Sequence, residues 1–188
     1  MRDDKMGDRG RLRLSGRIKP VPNIWRLITI LVVAGYLMWG ATAGAETMSE
    51  EDAILAVVQQ FFDSMAAGDK DKAAATLMPD GQYYGLREDP DSLYLKRRTH
   101  QKYLEGLSST TEAAVERMWN PTVLIHNRIA VVWAPYDFHV GGEFRHCGVD
   151  AFSLVKTEAG WRIAGIVYTI EPAGCGPSPL GPLERDEP

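Results

Sequence analysis

The hydrophobic periodicity of the chain changes once, near position 112. Before that point, large apolar residues recur every three or four positions, and after it they alternate with polar residues. The first spacing is typical of amphipathic helices, and the second is typical of half-buried strands. We therefore predict helices followed by a long antiparallel meander. This order indicates an α+β fold with the helices packed on one face of the sheet.

Three helices are predicted in the first part. One follows the capping residue Ser49 and ends at Gly68, a second covers residues 70–78, and a third covers residues 99–107. A turn at 79–81, a short strand at 82–86 and a loop at 87–92 separate the second helix from the third. The basic triplet at 96–98 is interpreted as a solvated turn rather than as an anion site, because charge runs are usually solvated.

Five strands are predicted in the second part, at residues 113–119, 122–126, 129–140, 143–156 and 161–170. Regular pairing from a Gly141-Gly142 hairpin turn places Trp133 opposite Asp150. Regular pairing from a four-residue loop at 157–160 places Val167 opposite Asp150. Trp133, Asp150 and Val167 then lie on one face, which we assign to the helix-covered interior because it carries the larger side chains.

Charge divides the chain at about Ala45. Residues 1–45 carry eight Lys and Arg against three Asp, and the rest carries 13 basic and 22 acidic residues. An acidic body argues against nucleic-acid binding. The basic leader precedes an apolar run and the small residues at 40–45, which predicts a secretory signal cleaved after Ala45. The alternative is an uncleaved membrane anchor over 27–45. Both place the folded part outside the cytoplasm, in the periplasm or secreted.

The two cysteines, Cys147 and Cys175, predict one disulfide in an exported protein. Two unpaired thiols are the alternative, and the spacing matches no zinc motif, so no metal site is expected. Gly and Pro dominate after this point, which predicts a disordered tail over 176–188. The resulting division is a leader at 1–45, a domain at 46–175 and the tail.

Asp150 is the leading candidate for chemistry. A carboxyl group placed between Trp133 and Val167 is costly to ionise, so its pKa should rise. Such a group suits proton abstraction next to a carbonyl, with His146 on the same face as its partner. The alternatives are that Asp150 contacts a ligand or that it anchors a structural hydrogen bond.

Aromatic residues near Asp150 are the predicted ligand contacts: Trp133, Tyr136, Phe152, Tyr83 and Tyr168. Their rings offer an apolar wall, and the tyrosines add hydroxyl donors. The chain has no Ser-His-Asp signature, phosphate-binding loop or cofactor motif, so no cofactor is expected.

Several features together resemble the nuclear transport factor 2-like superfamily, especially its SnoaL-like and putative lumazine-binding branch. They are the order of elements, the helix end Ala66-Ala67-Gly68-Asp69, the turn Pro79-Asp80-Gly81 and the block from Trp133 to Tyr168. The resemblance covers residues 51–175. It implies a cystatin-like cone, a curved antiparallel sheet with three N-terminal helices on its concave face. It also implies a homodimer formed through the other sheet face.

The resemblance does not fix a function, because the superfamily holds isomerases, cyclases, dehydratases and binding domains. We expect an exported domain that binds a small apolar ligand in a conical pocket without catalysis. One alternative is a ketosteroid isomerase- or polyketide cyclase-like enzyme that uses Asp150 and His146 for proton transfer. A second alternative is a dimeric assembly module. The sequence leaves open whether the protein is an enzyme.

Overall fold

The computed structural model describes residues 48–89, 91–107 and 112–183. Its described helices are α1 (Glu50–Ala66), α2 (Lys70–Thr76) and α3 (His100–Leu107). The side chain of Ser49 accepts a hydrogen bond from the Asp52 backbone N–H at 3.0 Å and caps α1, as the sequence predicts. None of the helices in these ranges is long and apolar enough to cross a membrane. The predicted leader at 1–45 lies outside the described residues.

Seven strands of the described residues form one curled, open sheet. They are β1 (Leu77–Asp89), β2 (Ser92–Thr99), β3 (Ala114–Met118), β4 (Thr122–His126), β5 (Ile129–Val140), β6 (Glu143–Thr157) and β7 (Gly160–Thr169). The strand order is β2-β1-β7-β6-β5-β3, and β4 also pairs with β5. The fold is therefore α+β, as predicted. The β1–β7 pair is parallel, whereas the prediction made every pair antiparallel.

The segment between α2 and α3 differs from its prediction. α2 ends at Thr76 rather than at Met78, and the predicted turn at 79–81 lies within β1, where pairing with β7 is irregular between Leu77 and Gln82. Pro79 has no backbone N–H to donate to a neighbouring strand, which suits a site where the pairing is irregular. Gly81, two residues further on, is required by packing, since a Cβ there would lie 2.0 Å from the His100 ring.

Strand β2 was missed by the sequence analysis. The predicted loop at 87–92 is the end of a β1–β2 hairpin, and the basic triplet at 96–98 lies in β2 rather than in a turn. Lys96 and Arg98 are half-buried, whereas Arg97 is exposed. This alternation follows the period of two that a strand imposes on its side chains.

The predicted registers of the last three strands are wrong by one residue beyond two bulges. Val140 does face Glu143, but pairing shifts after His139, so Asp150 faces Ala134 and Trp133 faces Ala151. A second shift follows Leu154, so Asp150 faces Tyr168 rather than Val167. Arg145 on β6 and Ala164 on β7 are the extra residues. A one-residue slip exchanges the two faces of a strand.

This exchange moves Trp133 and Val167 to the outer face of the sheet. Trp133 is 55% exposed, and Val167 is also exposed. The inner face carries Val132 and Ile166 in their place, together with Phe152, Leu154 and Ile163, and all five are buried. They pack against one side of α1; the ring centroids of Phe62 and Phe152, for example, lie 5.8 Å apart in an edge-to-face arrangement. Such aromatic pairs add about 0.5–1.5 kcal/mol beyond the area they bury.

The disulfide between Cys147 and Cys175 is present, as predicted. It ties the chain after β7 to β6, where an isolated bridge between Cys147 and Glu171 continues the antiparallel β6–β7 pairing. The segment from Gly176 to position 183 falls in the predicted disordered tail. It nonetheless makes defined contacts, among them a hydrogen bond of 3.0 Å from the Arg117 guanidinium to the Gly181 carbonyl.

Candidate functional site

A cavity of about 150 Å³ lies between the inner face of the sheet and the helices. Its aromatic wall is formed by Phe61, Tyr83, Tyr103, Phe138 and Tyr168. Its polar lining is formed by Lys96, Arg98, Glu116, His146 and Asp150. The hollow is thus mainly aromatic, with acidic and basic groups on the same wall.

The strand register explains how Asp150 reaches this cavity. Asp150 on β6 lies between Ala134 on β5 and Tyr168 on β7, and all three project from the inner face. Asp150 is only 2% exposed. Tyr168 in turn pairs with Gly85 on β1, and a Cβ at Gly85 would lie 2.6 Å from the Tyr168 ring. Glycine at this position therefore lets the tyrosine ring lie flat along the cavity wall.

Asp150 is hydrogen-bonded to a second acid, Glu116, which β3 supplies from the far side of β5. Burial, followed by the nearby Asp150 charge, raises the pKa of Glu116 well above its usual range. Burial also raises the pKa of Asp150 to about 7, against the lowering effect of the hydrogen bond to Glu116. Glu116 therefore keeps its proton and donates to Asp150, which ionises near neutral pH.

Three polar atoms of this site are buried without a hydrogen-bond partner among the described residues. They are the hydroxyls of Tyr83 and Tyr103 and the Oδ2 atom of Asp150. The two tyrosine rings lie side by side, with centroids 5.0 Å apart. Burial raises the pKa of both phenols, so both remain protonated donors at any ordinary pH. The site thus offers two donors and one acceptor.

His146 lies in the same cavity but is not hydrogen-bonded to Asp150. Its Nδ1 lies 3.1 Å from the hydroxyl of Tyr136, whose only proton goes to the Thr169 carbonyl at 2.7 Å. By elimination Nδ1 is the donor to Tyr136. The ring stacks on Phe138 with centroids 4.9 Å apart. Burial, followed by the charge of Lys96, lowers the pKa of His146, so the ring is neutral at pH 7.

The structure brings together four of the predicted site residues and separates three. Asp150, His146, Tyr83 and Tyr168 line the cavity. Phe152 is buried behind it against Phe61 and Phe62, and Tyr136 is buried beside it. Trp133 lies on the opposite face, so its predicted place beside Asp150 on the inner face is wrong, because the β5–β6 bulge reverses its direction.

Sequence reasoning missed Glu116, Tyr103, Lys96 and Arg98 as site residues. A signal for Glu116 was present in the sequence, because it lies two residues from both Ala114 and Met118 and therefore shares their inward-facing side of a short strand. An acid in the apolar phase of a strand indicates a buried carboxyl group. The signal for the two basic residues was their period of two, which was hidden by the intervening Arg97.

A second cavity, of about 600 Å³, lies under the segment that follows the disulfide. Here Arg117 donates two hydrogen bonds to Asp137, from Nε at 2.9 Å and from Nη2 at 2.6 Å. His139 Nε2 lies 3.3 Å from the same carboxylate. Burial would raise the pKa of Asp137, but the hydrogen bonds from Arg117 and Ser178 outweigh it and lower the pKa. We call this group, Arg117, Asp137 and His139, the outer cluster.

Among residues 48–89, 91–107 and 112–183, no three His, Cys, Asp or Glu side chains are arranged to hold a metal ion.

A curled sheet that encloses a cavity under its helices is the architecture of the nuclear transport factor 2-like and cystatin-like class. Residues 49–169 match the model of the putative lumazine-binding family, and the chain belongs to that family within the nuclear transport factor 2-like superfamily. A comparison with curated proteins finds no significant match.

Solved structures agree on the fold. A nuclear transport factor 2-like protein from Cytophaga hutchinsonii has a TM-score of 0.54 at 15% identity, covering 65% of this chain and 99% of its own. One of unknown function from Shewanella baltica gives 0.50 at 19%, covering 66% and 95%. A protein named as a putative dehydratase, from Streptomyces avermitilis, gives 0.51 at 14%, covering 65% and 96%. At these identities the likeness establishes architecture alone.

Proposed function

We propose that this domain binds a small, partly apolar molecule in the inner cavity. The observation that carries the proposal is the set of unpaired polar atoms on Tyr83, Tyr103 and Asp150. A buried donor or acceptor without a partner costs about 1–3 kcal/mol. Three such atoms facing one open cavity are explained if a ligand supplies the missing hydrogen bonds, as in other apolar sites with a few convergent polar groups.

Copurification tests this proposal. The full chain is purified and examined by native mass spectrometry, where we expect a bound small molecule that is lost on denaturation. A Met65→Trp variant should abolish the added mass, because Met65 lines the cavity and the larger ring would fill it. Gln60→Trp is the matched control, since Gln60 lies exposed on the same helix. Equal ligand retention in both variants would reject the inner cavity as the binding site.

Proton transfer is the second candidate function, and the Glu116–Asp150 pair favours it. A carboxylate with a pKa of about 7 is matched to proton abstraction at neutral pH. Asp150 would take the proton from a carbon next to a carbonyl, while the hydroxyls of Tyr83 and Tyr103 would donate to the developing oxyanion. In this arrangement the partner of Asp150 is Glu116 rather than the predicted His146.

Hydrogen exchange at carbon tests the second candidate. Cyclohexanone in D₂O should exchange its α-hydrogens faster with the protein than in buffer, as followed by NMR. Asp150→Asn should return the rate to that of buffer while the fold is kept. Exchange that is unchanged in Asp150→Asn would exclude Asp150 as the base and leave ligand binding as the sole proposal.

A second copy of the chain is the proposed occupant of the outer sheet face. Neighbouring strands expose Leu124, Val131, Trp133 and Val167 there, and all four are uncharged and apolar. A patch of this kind is self-complementary, as a twofold interface requires. Light scattering should give the mass of a dimer, and Trp133→Glu should give that of a monomer. A monomeric parent chain would reject this contact.

Export is the proposed location. The Cys147–Cys175 disulfide is consistent with an oxidising compartment, since such bonds are rare in the cytosol. Cell fractionation with thiol labelling should find the protein outside the cytoplasm with both cysteines blocked. Recovery from the cytoplasm with free thiols would contradict the proposal.

A further inference from the structure

The mouth of the inner cavity carries two neighbouring cations. Lys96 and Arg98 project from one face of β2, opposite Gly85 and Tyr83 of β1, and both are half-buried. Within the ranges that the structure describes, neither forms an ion pair with an Asp or Glu. Burial, followed by repulsion from Arg98, lowers the pKa of Lys96. An arriving anion would relieve this repulsion.

The two charges are directed at the hollow rather than at solvent alone. Both side chains are part of the cavity lining. The charge of Lys96 lowers the pKa of His146, which lies across the cavity on β6. The charge of Arg98 lowers the pKa of both Tyr83 and Tyr103, against the stronger effect of their burial. The cations therefore act on the groups that a ligand would contact.

The carboxyl group of Asp150 lies across the sheet from the two cations at the cavity mouth. Asp150, Tyr168, Gly85 and Lys96 follow one another on β6, β7, β1 and β2. Three strand spacings of about 4.8 Å separate the backbones of Asp150 and Lys96 by roughly 14 Å along the sheet. The Tyr168 ring spans the glycine between them. A molecule along this row would meet a cation at one end and a hydrogen-bond acceptor at the other.

The cavity volume limits what can lie between the two ends. A space of about 150 Å³ holds one benzene-sized ring. The side walls are the aromatic rings already described, against which a flat ring packs well.

From this arrangement we propose, on the basis of the ligand-binding function above, that the ligand is a single-ring organic acid. Its carboxylate pairs with Lys96 and Arg98, its ring lies against the aromatic wall, and its far end donates a hydrogen bond to Asp150. Tyr83 and Tyr103 contribute hydroxyl donors to the polar groups of the bound molecule.

Two matched probes test this ligand class by calorimetry on the full chain. 4-Hydroxybenzoate carries the carboxylate, the ring and the donor, and 4-hydroxybenzyl alcohol keeps the ring and the donor but has an uncharged hydroxymethyl group in place of the carboxylate. We expect the acid to bind about tenfold more tightly or better, since a charge-assisted pair contributes at least that factor. We also expect its affinity to fall as salt is raised, while that of the alcohol stays constant.

Three variants on one strand locate the charge effect. Lys96→Met and Arg98→Met should each weaken the acid about tenfold and leave the alcohol within about twofold. Arg97→Met is the matched control, because it removes the same charge from the exposed face between them. It should leave both affinities unchanged. An equal loss in Arg97→Met would show attraction by net charge alone and overturn the proposal.

The outcomes separate this proposal from the one on which it rests. Equal affinities for acid and alcohol would overturn the anion-binding role while supporting the cavity as a ligand site. Binding of neither probe would overturn the single-ring acid as the ligand class, and the copurification experiment would still decide whether the cavity binds a ligand.

Discussion

Two aspartates of this protein are shielded from solvent, and their environments shift their pKa values in opposite directions. Asp150 on the inner face is 2% exposed and Asp137 on the outer face is 3% exposed. The pKa of Asp150 rises because burial disfavours its charged form, against the lowering effect of the hydrogen bond from Glu116. The pKa of Asp137 falls because Arg117 donates two hydrogen bonds to it. Burial acts to raise the pKa of both carboxyl groups, and the effect is outweighed only at Asp137, which receives hydrogen bonds from a cation.

Removing Arg117, the partner of Asp137, should give the largest change in the free energy of unfolding. Arg117→Met removes the cation that donates two hydrogen bonds to the buried carboxylate of Asp137 and should lower the free energy of unfolding by about 3–5 kcal/mol. Urea denaturation at pH 7 measures it. Arg128→Met is the matched control, because Arg128 pairs with Glu158 on the exposed surface and should cost no more than about 1 kcal/mol. Equal losses in the two variants would show that the outer cluster does not stabilise the fold.

Neutralising each aspartate should give stability changes of opposite sign. The folded pKa of Asp150 is about 7 against a usual 3.8. The folded protein therefore holds a proton that the unfolded chain releases, and stability falls as pH rises from about 4 to 7. Asp150→Asn removes this loss and should stabilise the protein by about 2–4 kcal/mol at pH 8, but not at pH 4.

Asp137→Asn supplies the counterpart to that measurement. The pKa of Asp137 is lowered in the folded protein. Its contribution to the stability of the fold is therefore present above the unfolded pKa of 3.8 and is lost as the pH falls below that value. Its loss should therefore destabilise the protein at pH 8 and matter less in strong acid. Urea titrations of both variants across pH 3–8 check the pair. Parallel curves for the two variants would contradict the comparison.

The smallest expected effect concerns two tyrosine hydroxyls. Tyr136 donates to the Thr169 carbonyl, whereas Tyr83 has no partner among the described residues. Tyr136→Phe should cost about 1 kcal/mol, and Tyr83→Phe should be neutral or stabilising by up to about 1 kcal/mol. Thermal and urea unfolding of the ligand-free chain distinguish them. If Tyr83→Phe were the more destabilising, the Tyr83 hydroxyl would have a structural hydrogen-bond partner and would not be free to bind a ligand.

Most of the fold could be predicted from hydrophobic periodicity, because long amphipathic segments repeat their apolar residues clearly. Strands β4 and β5 have the predicted bounds, and α1 begins after its predicted cap at Ser49. β2 was missed because its exposed side chains carry no apolar alternation. Its membership in the sheet depends on pairing with β1, which is a long-range contact that local pattern does not encode.

The candidate site was predicted less completely, for a geometric reason. Asp150 was placed correctly on the inner face, but its neighbours Trp133 and Val167 were not, since two extra residues shift the pairing. The second bulge left a trace in the sequence, because the inward residues Trp161, Ile163, Ile166 and Tyr168 are spaced by two, three and two. The partner of Asp150 was missed because Glu116 comes from another strand.

The bulge at Ala164 sets which residues of β7 face the hollow. Ala164 and Gly165 both lie between the inward residues Ile163 and Ile166, so deleting Ala164 would restore a regular alternation and leave Tyr168 facing inward. Deleting Ile166 with the bulge kept would instead turn Val167 towards the hollow and Tyr168 towards the solvent. The lining is therefore sensitive to a change in the length of β7 beyond the bulge, whereas the bulge itself can absorb a deletion.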